Sequence, residues 1–246
     1  MSQAAKQKAL NWISENERRI IEVSDKIWQF AELGLQEFKS SSLLAEELRK
    51  AGFKVEMGVA GMPTAFVATY GSGRPVIGVM GEYDALPGLS QKPLPTKEPL
   101  VEGAPGHGCG HNIYGTSGMA GAIGAKVAME ASGIKGTLRF FGTPAEESAS
   151  GKVFMVREGV FEGVEAVLSH HPSSMNTASL SSSLANNSVK FHFYGVSSHA
   201  AGSPEQGRSA MDAVELMNVG VNFLREHVIQ EARIHYVVEA GGDQPN

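Results

Sequence analysis

Apolar residues recur at near-helical spacing over the first thirty-odd positions: Leu10, Ile13, Ile20, Ile27 and Phe30, with charged residues between them. That period predicts a helix over 3–33 with one face turned to a core. A second helix is predicted over 40–51, with Leu43, Leu44 and Leu48 on one face, Ser40 or Ser41 as its cap and Gly52 as its stop. The period then shortens. Residues 54–59, 64–70 and 76–80 read as strands, punctuated by Gly61-Met62-Pro63 and by the turn from Gly71 to Pro75. The third run is almost wholly apolar, as a strand covered on both faces requires. A polar, proline-rich loop over 90–105 precedes a Gly/Ala-rich helix over 115–131, whose small residues allow close approach to a sheet. A strand over 136–142, a short helix over 151–158 and a strand over 165–169 follow.

After Pro172 the composition changes. Residues 173–183 are rich in Ser, Asn and Thr and read as a linker, and a strand (184–194), a helix (207–227) and a strand (233–239) then begin a smaller β-α-β unit. The alternation predicts an α/β protein divided into a first domain over 1–180 and a second over 181–246.

Potential ligands fall where the predicted strands end. Glu82 and Asp84 follow the strand ending at Met80, Glu146 and Glu147 follow the one ending at Gly142, and His170 and His171 follow the one ending at Ser169. Between the first two lies the turn Gly108-Cys109-Gly110-His111. Open α/β sheets carry their sites at the carboxyl edge of the strands. Singly, each feature has a plainer reading: a turn-forming Asp, a solvated helix start, a buried cysteine beside surface histidines. Repeated at strand after strand, a thiolate, imidazoles and carboxylates are the donor set of a metal site. Two adjacent glutamates in different environments can divide the work between binding and proton transfer. His199, alone in a small-residue loop, reads in isolation as a surface residue.

Composition narrows the class. The 246 residues are 42% hydrophobic and 19% charged, enough to bury a core, and the formal charge of -5 gives no reason to expect nucleic-acid or acidic-membrane partners. A single cysteine excludes an intrachain disulfide framework and suits a reducing cytoplasm, the expected location. The N-terminal stretch lacks the apolar core of a signal peptide, and no run approaches the roughly 18 apolar residues of a membrane span. One cysteine also excludes a zinc nucleobase deaminase, which needs Pro-Cys-x-x-Cys. A purely structural zinc site would use four Cys/His ligands and leave the glutamates without a role.

The ordered set Gly81-Glu82-Tyr83-Asp84-Ala85-Leu86-Pro87, Gly108-Cys109-Gly110-His111-Asn112, Pro144-Ala145-Glu146-Glu147, His171-Pro172 and Ser198-His199-Ala200-Ala201 resembles the dinuclear metallopeptidases that include aminoacylases, carboxypeptidase G and auxin-conjugate amidohydrolases. Within that family it is similar to the amidohydrolase branch, and there to the aminobenzoyl-glutamate hydrolase and dipeptidase-like group. The resemblance implies a mixed-sheet α/β/α catalytic domain with an inserted ferredoxin-like α+β lid and dimerisation domain, here incomplete. It implies two divalent ions, Zn or Mn, held by Cys109, His111, Glu147 and His171. Glu146 would be the general base, and Asp84 a carboxylate supporting the metal centre. His199 would act on a partner protomer's site, and Asn246 would face substrate. The implied reaction is hydrolysis of the amide bond of an N-acyl amino acid, an aminobenzoyl-glutamate-like conjugate or a dipeptide. The implied assembly is a homodimer through the lid, or a hetero-oligomer with a paralogous chain. Three departures stand out. Glu82 replaces His or Asp, Asn112 replaces Asp, and the sequence stops before the family's last metal-ligating histidine. That last departure leaves an inactive fragment, or a metal-binding relative, as the alternative.

Overall fold

The computed structural model describes residues 3–178 and 182–243. The chain divides into two compact units, Met1–Asn176 and Thr177–Asn246.

In the first unit, helices α1 (Gln3–Glu15), α2 (Glu17–Phe30) and α3 (Phe38–Lys50) precede strands β1 (Lys54–Met57), β2 (Phe66–Ser72) and β3 (Val76–Gly81). Helix α4 (His111–Ser132), strand β4 (Gly136–Gly142), helices α5 (Glu146–Ala149) and α6 (Gly151–Arg157), and strand β5 (Ala166–Leu168) complete it. The helix expected over 3–33 is broken at Asn16, whose side-chain amide donates to the Trp12 carbonyl and whose backbone N–H turns back on the same oxygen. The backbone bond is the helix's own i→i−4 bond, and the side-chain bond to the same carbonyl is the local competitor.

The five strands form one mixed sheet in the order β1-β2-β4-β3-β5. β1–β2 and β2–β4 are antiparallel, while β4–β3 and β3–β5 are parallel. Alternation along β4 shows the layering. Phe140 is fully buried in a core with Ile27, Leu44, Leu48, Phe66, Tyr83 and Met119, under α2, α3 and α4. Its neighbour Phe141 is fully buried on the opposite face with Met62, Ala65 and Met155 of α6. Successive strand residues point to opposite faces, so the sheet is covered on both sides and the unit is an α/β/α sandwich.

Helix α4 lies unusually close to the sheet. A Cβ on Gly115 would fall 2.5 Å from the Glu82 carbonyl oxygen, and one on Gly118 would fall 2.6 Å from that of Met80. The helix also begins at His111, four residues before the expected start, so the first helical residue stands beside the end of β3.

The second unit contains α7 (Ala210–Leu224), capped by Ser209 Oγ accepting the Asp212 N–H at 3.1 Å. The strands expected over 184–194 and 233–239 do not form among the described residues. Lys190 reaches Glu239 at 3.0 Å, so the two segments meet without a ladder. Two strands with nothing covering their apolar face are marginal in water, and here Val189, Phe191 and Tyr194 are all exposed. Among the described residues this unit therefore shows α7 and a short 3-10 turn, Pro204–Gln206.

Candidate metal centre

The close seating of α4 brings three stretches of chain together. Glu82 and Asp84 leave the end of β3 and are both buried. His111, fully buried, opens α4. Glu146 and Glu147 open α5 just after β4, which runs parallel to β3. Asp84 is the hub. Its Oδ1 accepts the His111 Nδ1–H at 2.9 Å, and its Oδ2 accepts the Glu147 backbone N–H at 2.9 Å. A carboxylate can only accept, so the first bond places an imidazole proton on Nδ1 and leaves the Nε2 edge as the one that can meet a metal ion once its own proton is displaced. This is the arrangement that orients metal-ligating histidines.

What Nε2 faces is informative. It lies 3.0 Å from Glu82 Oε2 and 4.0 Å from Glu147 Oε1. Yet His111 Nε2 and Glu147 Oε1 are both buried without a hydrogen-bond partner. Two orphaned ligand atoms facing each other are costly unless something positive lies between them. On the other side, Cys109 Sγ is 3.3 Å from His171 Nε2. The His171 Nδ1–H donates to the Pro172 carbonyl at 2.9 Å, so the Nε2 edge is the one turned to the cysteine. Ligand atoms of Cys109, His111 and His171 lie within 4.8 Å of one another, as do those of Glu82, His111 and Glu146. His111 belongs to both groups, so these residues fit a cation-binding centre of mixed S, N and O character.

Electrostatics agree with the geometry. Burial opposes a proton on His111, but Asp84 and Glu82 outweigh it and push the pKa up to about 10. Burial, reinforced by Glu147, pushes the Cys109 thiol up to about 11. A field that favours a proton this strongly also favours a metal ion, and without one Cys109 stays a thiol. Burial and then Glu82 hold the Glu146 carboxyl above the ordinary range. Burial acts the same way on Glu82, but His111 and a 2.5 Å ion pair to Lys152 win and hold it low.

Glu82, Asp84, Cys109, His111, Glu146, Glu147 and His171 thus lie together. His170 does not. It turns aside to Ser117 Oγ at 2.5 Å and packs against the Tyr114 ring. Asn112 also points away, donating to Ser24 Oγ of α2 at 3.1 Å, so this departure is an anchor between helices. Lys152 and His107 were not legible as site residues. His107 donates to the Ile27 carbonyl at 3.0 Å and ties the cysteine turn to α2. His199 lies in the second unit, its Nδ1 accepting the Ala201 and Gly202 N–H groups. Asn246 lies outside the described residues.

Residues 78–238 match the family described as Peptidase family M20/M25/M40. The chain belongs to that family. It is 47% identical over 238 residues to one of the subunits of the p-aminobenzoyl-glutamate hydrolase of Escherichia coli (strain K12), covering 95% of this chain and 49% of that protein. It is 32% identical over 254 residues to the Xaa-Arg dipeptidase of Mus musculus, covering 98% of this chain and 55% of that one. The crystal structure of the Bacillus subtilis YXEP protein, described as a dinuclear metal binding peptidase from the M20 family, superposes with a TM-score of 0.52 at 28% identity. That match covers 63% of this chain and 42% of the other. The chain spans about half the length of the curated relatives it matches. Among the described residues no helix is long and apolar enough to cross a membrane.

Proposed function

We propose that this M20-family protein is a metal-dependent amidohydrolase cleaving an amide or peptide bond. The supporting observation is the pair of buried, unpartnered ligand atoms, His111 Nε2 and Glu147 Oε1, both positioned by Asp84. Cys109, His111, Glu147 and His171 would hold two divalent ions, Zn or Mn, with Glu82 in reach of the shared imidazole. When bound, such ions acidify water and polarise a carbonyl. Glu146, whose carboxyl is held above its ordinary pKa, would take the proton of the attacking water and hand it to the leaving amine. A positioned base of this kind contributes roughly 10²–10⁴-fold. Asp84 keeps the imidazole in the ligating tautomer throughout.

The substrate class is an N-acyl amino acid, an aminobenzoyl-glutamate-like conjugate or a dipeptide, in keeping with the names of the relatives. The bacterial relative is named as one component of a hydrolase with differently lettered subunits, which supports assembly with a paralogous chain. A homodimer through residues 181–246, with His199 reaching the partner's site and Asn246 facing substrate, is the other arrangement we propose. The test compares two alanine variants in metal content and in hydrolysis of an acyl-amino-acid and dipeptide panel. Glu146→Ala is expected to keep metal and lose hydrolysis, and Glu147→Ala to lose metal. Full activity at unchanged metal content in Glu146→Ala would refute the assignment. A second reading is a metal-binding chain without turnover. Wild-type metal uptake with no hydrolysis across the panel would select it.

A further inference from the structure

Glu37 lies far from the predicted chemistry, in the turn between α2 and α3, yet its side chain is completely buried. Its Oε1 accepts the Ala145 N–H at 2.7 Å, and its Oε2 accepts the Thr64 hydroxyl at 2.9 Å. Thr64 is itself fully buried, and its carbonyl accepts the Tyr83 hydroxyl at 2.6 Å. Tyr83 stands between Glu82 and Asp84, and Ala145 immediately precedes Glu146. One chain of hydrogen bonds therefore links the two loops that carry the site's carboxylates.

The backbone at Ala145 gives that link its purpose. It sits at φ 55°, ψ 41°, a left-handed conformation unfavourable for a residue with a Cβ. Such a conformation persists only where the surroundings over-determine it. Here the constraint comes from two directions. Glu37 holds the Ala145 N–H, and Asp84 holds the Glu147 N–H two residues on. The segment carrying Glu37 is also pressed against this turn, since a Cβ on Gly34 would fall 3.0 Å from Ala145 Cα. The left-handed residue sets the direction in which Glu146 and Glu147 leave the sheet.

We infer that Glu37 is a positioning residue for the Glu146–Glu147 pair, its buried carboxylate fixing the left-handed turn at Ala145 so that both glutamates face His111. The inference rests on the metal-centre reading above. An apolar side chain of similar size would fill the space but leave two buried donors, the Ala145 N–H and the Thr64 O–H, without an acceptor. A glutamine would keep a carbonyl for Ala145, and Thr64 can rotate to accept its amide.

The experiment uses the whole chain with Co²⁺ alone as probe, and reads amide exchange over 143–149 in the metal-free protein. Wild type that binds no Co²⁺ refutes the metal reading, whereas the exchange readout bears on Glu37 by itself. Glu37→Leu is expected to lose protection at the Ala145 amide while the Phe140 amide in β4 stays protected, and to weaken Co²⁺ binding by roughly 10–100-fold. Glu37→Gln is expected to restore both. Thr64→Val, nearly isosteric, covers the case in which Glu37→Leu does not fold. It frees one oxygen of Glu37 and is expected to weaken Co²⁺ binding roughly threefold to tenfold. Wild-type Ala145 protection and Co²⁺ affinity in Glu37→Leu would overturn the inference, as would unchanged affinity in Thr64→Val.

Discussion

Replacing Asp84 by Asn isolates the contribution of the hub. The substitution keeps size and burial but exchanges one acceptor oxygen for an amide donor. In the protein, both oxygens accept at 2.9 Å, one from His111 Nδ1 and the other from the Glu147 N–H. The amide can satisfy only one of them. The other becomes a buried donor facing a donor, which costs about 1–3 kcal/mol. If the imidazole loses the carboxylate, only the neutral Asp84 carbonyl at 3.1 Å still accepts its Nδ1–H; if Glu147 loses it, the carboxylate is no longer aimed. Either way metal affinity should drop by roughly 10–100-fold, equivalent to about 1.4–2.7 kcal/mol. A Zn²⁺ titration against a competing chelator at fixed pH measures this directly, with thermal melts of the metal-free protein alongside. Asn112→Ala is the control, because Asn112 is also buried in α4 but its side-chain amide donates to Ser24, away from the site. It should lower the melting temperature and leave affinity unchanged. Wild-type Zn²⁺ affinity in Asp84→Asn would refute the role given to Asp84, whatever happens to stability.

Three further predictions follow from the same geometry. Metal binding must displace protons held on His111 (up to about 10) and Cys109 (up to about 11), so affinity should rise between pH 7 and 9 with about two protons released per binding event; calorimetry in buffers of different ionisation enthalpy counts them, and zero release would contradict the ligand set. Gly118→Ala should destabilise by about 1–3 kcal/mol because its Cβ meets the Met80 carbonyl, whereas Gly121→Ala, with nothing near its Cβ, should stabilise by up to about 1 kcal/mol; denaturant melts that rank the two the other way would overturn the close-packing account. Glu47, buried beneath a two-pronged contact from Arg19, keeps a lowered pKa because that partner outweighs burial. Its contribution to stability is therefore present above the unfolded value near 4.5 and is lost as pH falls through the lower folded value. Arg19→Ala should flatten that acid limb by no more than about 1 kcal/mol, since the Arg19 side chain is 54% exposed, and an unchanged limb in acid melts would discount the pair.

What could be read in the sequence was what local pattern encodes. The apolar runs of β3 and β4 declared themselves as buried strands, and that alone placed Glu82, Asp84, Glu146 and Glu147 at one sheet edge. Cys109 and His111 were visible because their spacing is short. Glu37 was not, since a glutamate before a helix looks like a solvated cap, and its burial is decided by Thr64 and Ala145, which lie 27 and 108 positions away. Lys152 escaped for the same reason, its partner Glu82 being 70 positions distant. The alternating segments of the second unit failed in the opposite sense. Val189, Phe191 and Tyr194 carry a strand pattern, but a strand is a property of its neighbours, and the pattern alone cannot supply a ladder.

The distances along the chain between the site's members have a consequence for folding. Asp84 and His111 are 27 positions apart, and Cys109 and His171 are 62 apart. Neither of these pairs exists until α4 has docked and β3, β4 and β5 have aligned, so an unfolded chain offers a metal ion local pairs such as Cys109 and His111 but not the assembled site. A bound ion would act as a removable cross-link closing large loops, the setting in which clips gain most against chain entropy. At a hundred times its dissociation constant it would add about 2.7 kcal/mol to the folded state. A chelator would then serve as a denaturant directed at the carboxyl edge of this sheet, loosening the first unit from its site outward.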